Sequence, residues 1–430
     1  MCCICPPAIQ AIFCLWVQSG FSQGTVAGAL TFFPPDPPLY RFERLDKDGN
    51  PLPEEDDGDN DENQNPENSS LANRNDNAEG VEVVTDGAYQ AREGQTKKKV
   101  RSPAQQFTDQ AKALRKRGKL RNARDTHDAS NGVTYKLVLD PRLSPPRIDN
   151  GGTVEAIKIP TGKGISFSEQ GKANSTGNEN ETTAKSSTTS RSKSSSDNKE
   201  THQNRSHCAA IVYRVPSSKA HTNSEGRKTM TIIYSHGNAT DIGAMYPLQV
   251  ILSNSLECNV VSYDYSGYGA SGGVAMEANT YTDIAAVYEW TLHNVCGGDE
   301  SRIILYGQSV GSGPCCHLAR HVDGLAGMVL HSPFMSGMRV LTPSRALACL
   351  DIYPNIDRVA KTKCPVMVIH GRLDEEVDVG HGIAMHAAVP DHLKRDPWWV
   401  PDRGHNDITE GPGKLAEYVG RLREFLASLD

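Results

Sequence analysis

The sequence has no apolar run long enough to cross a bilayer. The longest near its start, Ala8 to Val17, falls well short of the roughly 20 residues a helical span requires, and no basic stretch precedes it as in a secretory signal. A large excess of either sign of charge is missing as well: the formal net charge is -7 over 430 residues, which gives the whole chain no electrostatic signature of nucleic-acid binding. Eleven cysteines are present, yet they form no regular pairing framework. Cys2, Cys3, Cys5 and Cys14 cluster at the start, whereas Cys258, Cys315, Cys316 and Cys364 are scattered through apolar segments, as free thiols of a reducing compartment are. No internal repeat recurs at a fixed period.

Two stretches also have almost nothing apolar. Glu54 to Asn65 is acidic and Asn-rich, and Ser175 to Lys199 is mostly Ser, Thr, Asn and Lys, so neither can bury enough surface to offset the entropy of ordering. Between them Lys97-Lys98-Lys99 and the basic stretch Ala111 to Arg124 read as a solvated arm, with anionic lipid headgroups as the sharper alternative; no base-reading module accompanies the charge. The prolines of Phe32-Phe33-Pro34-Pro35-Asp36-Pro37-Pro38 exclude a regular helix and leave a stiff extended link. The expected organisation is a Cys-rich leading segment at 1–40, a disordered acidic then basic insertion at 41–131, and one folded domain at 132–430 interrupted by a disordered Ser-rich insertion at about 168–205.

The folded part begins with alternating apolar and polar residues at Tyr135 to Leu139, Thr153 to Ile159 and Ala209 to Val215, the pattern of half-buried antiparallel strands. From Met230 onward the texture changes. Thr231 to Tyr234, Val260 to Tyr263, Ile303 to Tyr306, Met328 to Leu330 and Val366 to Ile369 are continuous apolar runs separated by helix-length segments such as Tyr281 to His293. Such runs suit strands buried on both faces, so the expectation is an α/β fold with a mostly parallel central sheet, helices on both faces and antiparallel strands at its amino-terminal side.

In such a sheet, chemistry sits beyond the carboxyl ends of the strands. Ile303 to Tyr306 leads into Gly307-Gln308-Ser309-Val310-Gly311 and then a helix-capable segment: a G-x-S-x-G nucleophile elbow in its strand-turn-helix context, with Ser309 as nucleophile. The run ending at Tyr234 leads into Ser235-His236-Gly237-Asn238, so the backbone N–H groups of Asn238 and Val310 can form a two-donor oxyanion hole. An acid and then a histidine should follow on later strand ends. Asp374 in Gly371-Arg372-Leu373-Asp374 and His405 in Gly404-His405-Asn406-Asp407 satisfy that order, giving His405 as general base and Asp374 as its orienting carboxylate. Asp378, Asp357 and Asp407 compete for the second role; Asp378 is expected to cap the next helix instead. His331 and His370 are expected to be structural, because acid–base work needs one imidazole. The scheme requires no metal and no cofactor.

Taken together, Ser235-His236-Gly237-Asn238-Ala239, Tyr263 through Ser271, Leu305 through Ser309, His331-Ser332-Pro333 and Gly404 through Asp407 resemble the α/β-hydrolase domain-containing protein 17 family of membrane-anchored protein depalmitoylases. The resemblance runs from about Val133 to the end and includes the leading Cys cluster and Phe-Pro-Pro run. It implies the α/β-hydrolase fold, and a thioesterase that removes palmitoyl chains from cysteines of membrane-associated proteins, with Ser309, Asp374 and His405 at the triad positions. It further implies attachment through an acylated amino terminus to the cytoplasmic face of plasma and endosomal membranes. The long insertions and the sparser Cys cluster depart from the family pattern.

Thiols beside an apolar segment are acceptors for S-acylation, so Cys2, Cys3, Cys5 and Cys14 read as lipid attachment sites, with a zinc knuckle or inert thiols as the competing readings. Lying far from the triad in sequence, this anchor is expected to be separable from the chemistry. Two other functions remain open at this stage: a lipid esterase or lysophospholipase using the same machinery, and a catalytically silent membrane adaptor.

Overall fold

The computed structural model describes residues 32–52, 133–143, 151–161, 207–341 and 351–429. All of them fall within one of the two units into which the chain divides, Ile12–Glu54 with Arg121–Asp430; the other unit, Met1–Ala11 with Glu55–Leu120, lies outside the described residues. So do the four leading cysteines, the acidic and basic stretches and the Ser-rich insertion.

Among the described residues ten strands make one sheet. Its antiparallel side holds β1 (Tyr40–Leu45), β2 (Thr134–Leu139), β3 (Thr153–Pro160) and β4 (His207–Arg214). The parallel side holds β5 (Thr231–Ser235), β6 (Asn259–Tyr263), β7 (Ile303–Gln308), β8 (Gly327–His331), β9 (Val366–Gly371) and β10 (Trp398–Val400). The strand order is β1-β2-β3-β4-β6-β5-β7-β8-β9-β10, with β4 antiparallel to β6 and every later pairing parallel. Burial follows the two sequence textures: β2 and β3 alternate, whereas β5, β6, β8 and β9 are buried at every position.

Alternate residues of the parallel strands feed two cores. Ile233, Leu305 and Val368 pack beneath α2 (Glu277–Asn294) and α3 (Ser312–Ala319), while Ile232, Tyr306 and Ile369 face α1 (Ile242–Leu256) and α7 (Lys414–Ala427). Burying each such side chain contributes about 1.5–3 kcal/mol, and a one-residue slip would move every one of them to the wrong face, so the register is strongly specified. Three further helices complete the chain order: α4 (Gly337–Leu341), α5 (Asn355–Val359) and α6 (Val379–Ala388). This is the α/β-hydrolase fold. None of the described helices is long and apolar enough to cross a membrane.

The expected domain start near Gly132 is wrong. β1 pairs with β2 in full register, Tyr40 opposite Leu139 and Leu45 opposite Thr134, so residues 40–45 belong to the sheet rather than to a disordered insertion. The missed signal was a single Tyr-x-Phe alternation whose partner strand lies some 90 residues away; Phe42 packs 5.3 Å from Tyr40 and 6.0 Å from Tyr135, ring to ring. Acidic composition just beyond it hid a strand that only cross-strand pairing stabilises.

Candidate active site

The elbow follows from two glycines. Ser309 adopts φ 50°, a left-handed backbone unusual for a residue with a side chain, and the turn that permits it is very tight. A Cβ on Gly311 would lie 2.1 Å from the Ser235 carbonyl oxygen, and one on Gly307 would lie 2.6 Å from the Gly311 carbonyl oxygen. Glycine is thus required where the turn after β7 crosses the end of β5. α3 begins at Ser312, directly behind the serine, so the helix amino terminus points toward it.

Adjacency of strands brings the other partners in. β5 pairs with β7, so the loop after β5 lies beside the elbow and Gly237 approaches the Ser309 Cβ. β10 pairs with β9, and their hydrogen bonding continues past the strand ends: Arg372 N donates to Val400 O at 2.8 Å and Leu373 N to Arg403 O at 2.9 Å. That continuation carries Asp374 and His405 together. His405 Nε2 lies 3.0 Å from Ser309 Oγ, and His405 Nδ1 lies 2.6 Å from Asp374 Oδ2. Ser309 is half-buried, while Asp374 and His405 are each only 7% exposed, so the nucleophile is accessible and its relay is shielded.

Asp374 is saturated with donors. Its Oδ1 accepts the backbone N–H groups of Glu376 at 2.9 Å and Val377 at 2.7 Å; its Oδ2 accepts from His405 and also lies 3.0 Å from His370 Nε2. Burial alone would raise this carboxyl, but the hydrogen bonds from His370, His405 and Val377 outweigh it and hold Asp374 well below the usual carboxylate range. His370 Nε2 also lies 2.8 Å from Val377 O, so both its neighbours are oxygen acceptors and the nitrogen carries the ring proton. Nδ1 has no partner and abuts Gly382, where a Cβ would come within 2.4 Å. The sequence reading set His370 aside as structural; the structure puts it in direct contact with the triad carboxylate. Its signal was its place four residues before Asp374, at the end of the same strand. His331 instead bonds Tyr306 Oη through Nδ1 at 2.8 Å.

Two of the competing carboxylates, Asp378 and Asp407, have other partners. Asp378 Oδ1 caps α6 by accepting Gly380 N at 2.8 Å, and Asp407 Oδ1 accepts Gly404 N at 2.7 Å, bracing the His405 loop. Val310 is buried directly after the serine, and Asn238 stands half-buried in the facing loop. The Asn238 side chain is a hub that sequence reasoning missed: Oδ1 accepts Phe33 N at 2.9 Å, Tyr268 Oη–H at 2.8 Å and Ala239 N at 3.0 Å.

The six described cysteines, Cys208, Cys258, Cys296, Cys315, Cys316 and Cys364, are buried free thiols; burial pushes Cys315 up to about 12. Among the described residues no group of three or more His, Cys, Asp or Glu side chains is placed to hold a metal ion. A cavity of about 260 Å³ lined by Asn223, Glu257 and Arg423 shares no residue with the site.

No family model matches the chain. Curated relatives do. The Caenorhabditis elegans alpha/beta hydrolase domain-containing protein aho-3 is 46% identical over 197 residues, covering 46% of this chain and 57% of the relative. The mouse alpha/beta hydrolase domain-containing protein 17C is 43% identical over 198 residues, covering 46% and 59%, and human 17B is 40% identical over 198 residues, covering 46% and 66%. Over that 46% of its length the chain is similar to the α/β-hydrolase domain-containing protein 17 family. It spans less than two thirds of each relative's length in these matches, at 57, 59 and 66%. Among solved structures it is similar to a Pyrococcus furiosus esterase, 20% identical with a TM-score of 0.41 over 52% of this chain and 88% of that one. A hydrolase from Agrobacterium vitis is 21% identical with a TM-score of 0.40 over 64% and 99%.

The family motifs read in the sequence converge on the site. Residues 235–239 form the loop facing Ser309, and residues 263–271 brace that loop: Tyr265 Oη donates to His236 O at 2.6 Å, and Asp264 Oδ1 lies 3.1 Å from His236 Nε2. Ser332, from the His331-Ser332-Pro333 motif, donates to His405 O at 3.5 Å and so lies under the base.

Proposed function

We propose that this chain is a serine hydrolase that cleaves S-acyl thioesters from cysteines of membrane-associated proteins. The observation that carries the reading is the unbroken relay from Ser309 Oγ through His405 to Asp374, at 3.0 and 2.6 Å, beginning at a solvent-accessible serine. The resemblance to the α/β-hydrolase domain-containing protein 17 family and the leading cysteine cluster support the thioester over other acyl groups, and they support action at a cytoplasmic membrane surface to which an acylated amino terminus attaches.

His405 Nε2 takes the Ser309 hydroxyl proton as Oγ attacks the thioester carbonyl. The tetrahedral oxyanion is held by the Asn238 and Val310 N–H groups. Collapse breaks the C–S bond, the cysteine leaves with the proton from His405, and the acyl group remains on Ser309. Water then gives a proton to His405 and attacks the ester, releasing the fatty acid and restoring the serine. Asp374 holds the imidazole with Nδ1–H toward itself throughout, which leaves Nε2 free to accept.

The test is labelling with a fluorophosphonate probe beside turnover of matched thioester and oxygen-ester substrates. Wild-type protein should label and prefer the thioester, and Ser309→Ala should lose both labelling and turnover, by several orders of magnitude for the latter. Undiminished labelling of Ser309→Ala removes that serine from the mechanism. A preference for the oxygen ester would instead make the protein a lipid esterase or lysophospholipase, and a wild-type protein that neither labels nor turns over would be an adaptor.

A further inference from the structure

The oxyanion loop, residues 236–241, is held from one side by the segment after β6 and from the other by residues 33–40, which precede and begin β1. Three hydrogen bonds tie that leading strap to the loop and its supports. Phe33 N donates to Asn238 Oδ1 at 2.9 Å, Leu39 N to Asp241 Oδ2 at 2.7 Å, and Tyr40 Oη to Asp264 Oδ2 at 2.5 Å. Asp264 in turn accepts Ile242 N at 3.0 Å through Oδ1, and Asp241 caps α1 by accepting Ala244 N at 2.9 Å. Phe32 is buried edge-on against Tyr268 and Tyr353, with ring centroids 6.3 Å away in both cases.

The loop needs such restraint. Ala239 sits at φ 54°, a left-handed conformation costing about 1–3 kcal/mol for a residue with a side chain unless its surroundings enforce it. The enforcing group is the Asn238 carboxamide, whose oxygen takes the Ala239 N–H together with Phe33 N–H and the Tyr268 hydroxyl. Phe33 N also lies 3.0 Å from Tyr268 Oη, so the Phe33 amide, the phenol and the carboxamide close a ring. Rotation of the Asn238 side chain out of that ring would release Ala239 and with it the loop whose Gly237 lies beside Ser309.

We propose that the strap, through Phe33 and with Tyr268, is a positioning element of the oxyanion hole: it holds Asn238 so that its backbone N–H meets the tetrahedral intermediate. The inference rests on the serine-hydrolase reading. Neither Phe33 nor Tyr268 touches the reacting atoms; both act through Asn238.

The experiment uses the full-length chain and three variants: Tyr268→Phe, which deletes one hydroxyl without a cavity; Asn238→Ala, which keeps the backbone N–H but removes the hub; and Phe33→Pro, which removes the amide donor. Losing an oxyanion donor outright costs about 10²–10³ in kcat, and a misplaced one less, so each variant should lose about 10- to 100-fold in kcat and in fluorophosphonate labelling rate. KM for a small thioester should stay within about twofold. A trifluoromethyl ketone, which forms the tetrahedral adduct, should bind more weakly in step with kcat, whereas an uncleavable thioether analogue should bind as to wild type. Tyr268→Phe and Asn238→Ala should be non-additive, because either opens the same ring. The proposal is overturned if the folded variants, checked by melting temperature, keep wild-type kcat, if KM changes instead, or if the two effects add independently. Labelling of wild type and its loss in Ser309→Ala would leave the hydrolase reading standing in any of those cases; an unlabelled wild type would sink both.

Discussion

Asp374 accepts two imidazole donors on one oxygen, and the order of those two contacts has consequences for pH dependence. Its depressed folded-state value keeps it ionised across the working range; the stability it lends is present above the unfolded value of about 4 and is lost only as pH falls through the lowered folded value. The other titratable groups facing the pair are His331, pushed down to about 3 chiefly by burial, and His381, also lowered chiefly by burial. Replacing His370 with Leu removes a donor from Asp374 Oδ2 and, by loosening the carboxylate that orients His405, should lower kcat about tenfold; His370→Gln, which can still donate, should restore part of it. Steady-state kcat of the two variants checks this, and a wild-type value in His370→Leu, or no recovery in His370→Gln, would make His370 only a packing residue. Asp374→Asn should cost about 10⁴ in turnover through the wrong imidazole tautomer. Asp378→Asn should cost almost nothing, since its carboxylate serves α6 and Asn also caps well. The reverse ranking in steady-state assays would exchange their roles.

At the scale of elements, the strand-turn-helix elbow was legible because its requirements are local. Gly307 and Gly311 recur at the spacing the turn needs, and a five-residue pattern carries it. The structure adds the reason in three dimensions: Gly311 lies against the backbone of Ser235, so the elbow and the loop after β5 are pressed together. Gly311→Ala should destabilise the protein by about 1–3 kcal/mol or more by overpacking backbone that cannot yield, and it should slow probe labelling in whatever fraction folds. Urea denaturation with labelling of the soluble fraction measures both; wild-type stability would show that β5 and β7 can part. β1 was not legible, because an edge strand of one alternation is stabilised by its partner rather than by its own composition.

For the whole molecule, the sequence reading separated anchor from chemistry because they lie far apart along the chain. The strap qualifies that separation: residues 33–40 are hydrogen-bonded to the 236–241 loop and its supports, so an anchor separable from the proposed chemistry has to lie before Phe32. Replacing Cys2, Cys3, Cys5 and Cys14 together with Ser should release the protein from membranes, since one acyl chain binds reversibly and two or more hold stably. Hydrolysis of a small soluble thioester should persist near the wild-type rate, while turnover of an acylated membrane protein should fall as the shared surface no longer concentrates the two partners. Fractionation beside both assays decides it: membrane residence of the variant, or loss of its small-substrate activity, would refute the division.

The sequence by itself determined the fold class, through apolar runs of period and length that suit a doubly covered parallel sheet. It also determined the identity and order of Ser309, Asp374 and His405 as candidates, because nucleophile, acid and base each follow an apolar run at a strand end. Only the tertiary structure decided which neighbours those residues acquire. His370 reaches Asp374 because the chain turns back within four residues, and Phe33 reaches Asn238 across 205 positions. Hydrogen bonds are short-ranged and directional, so a partner that distant leaves no periodicity to read; it is specified only when burial of the two cores brings the strands, and then their loops, into register.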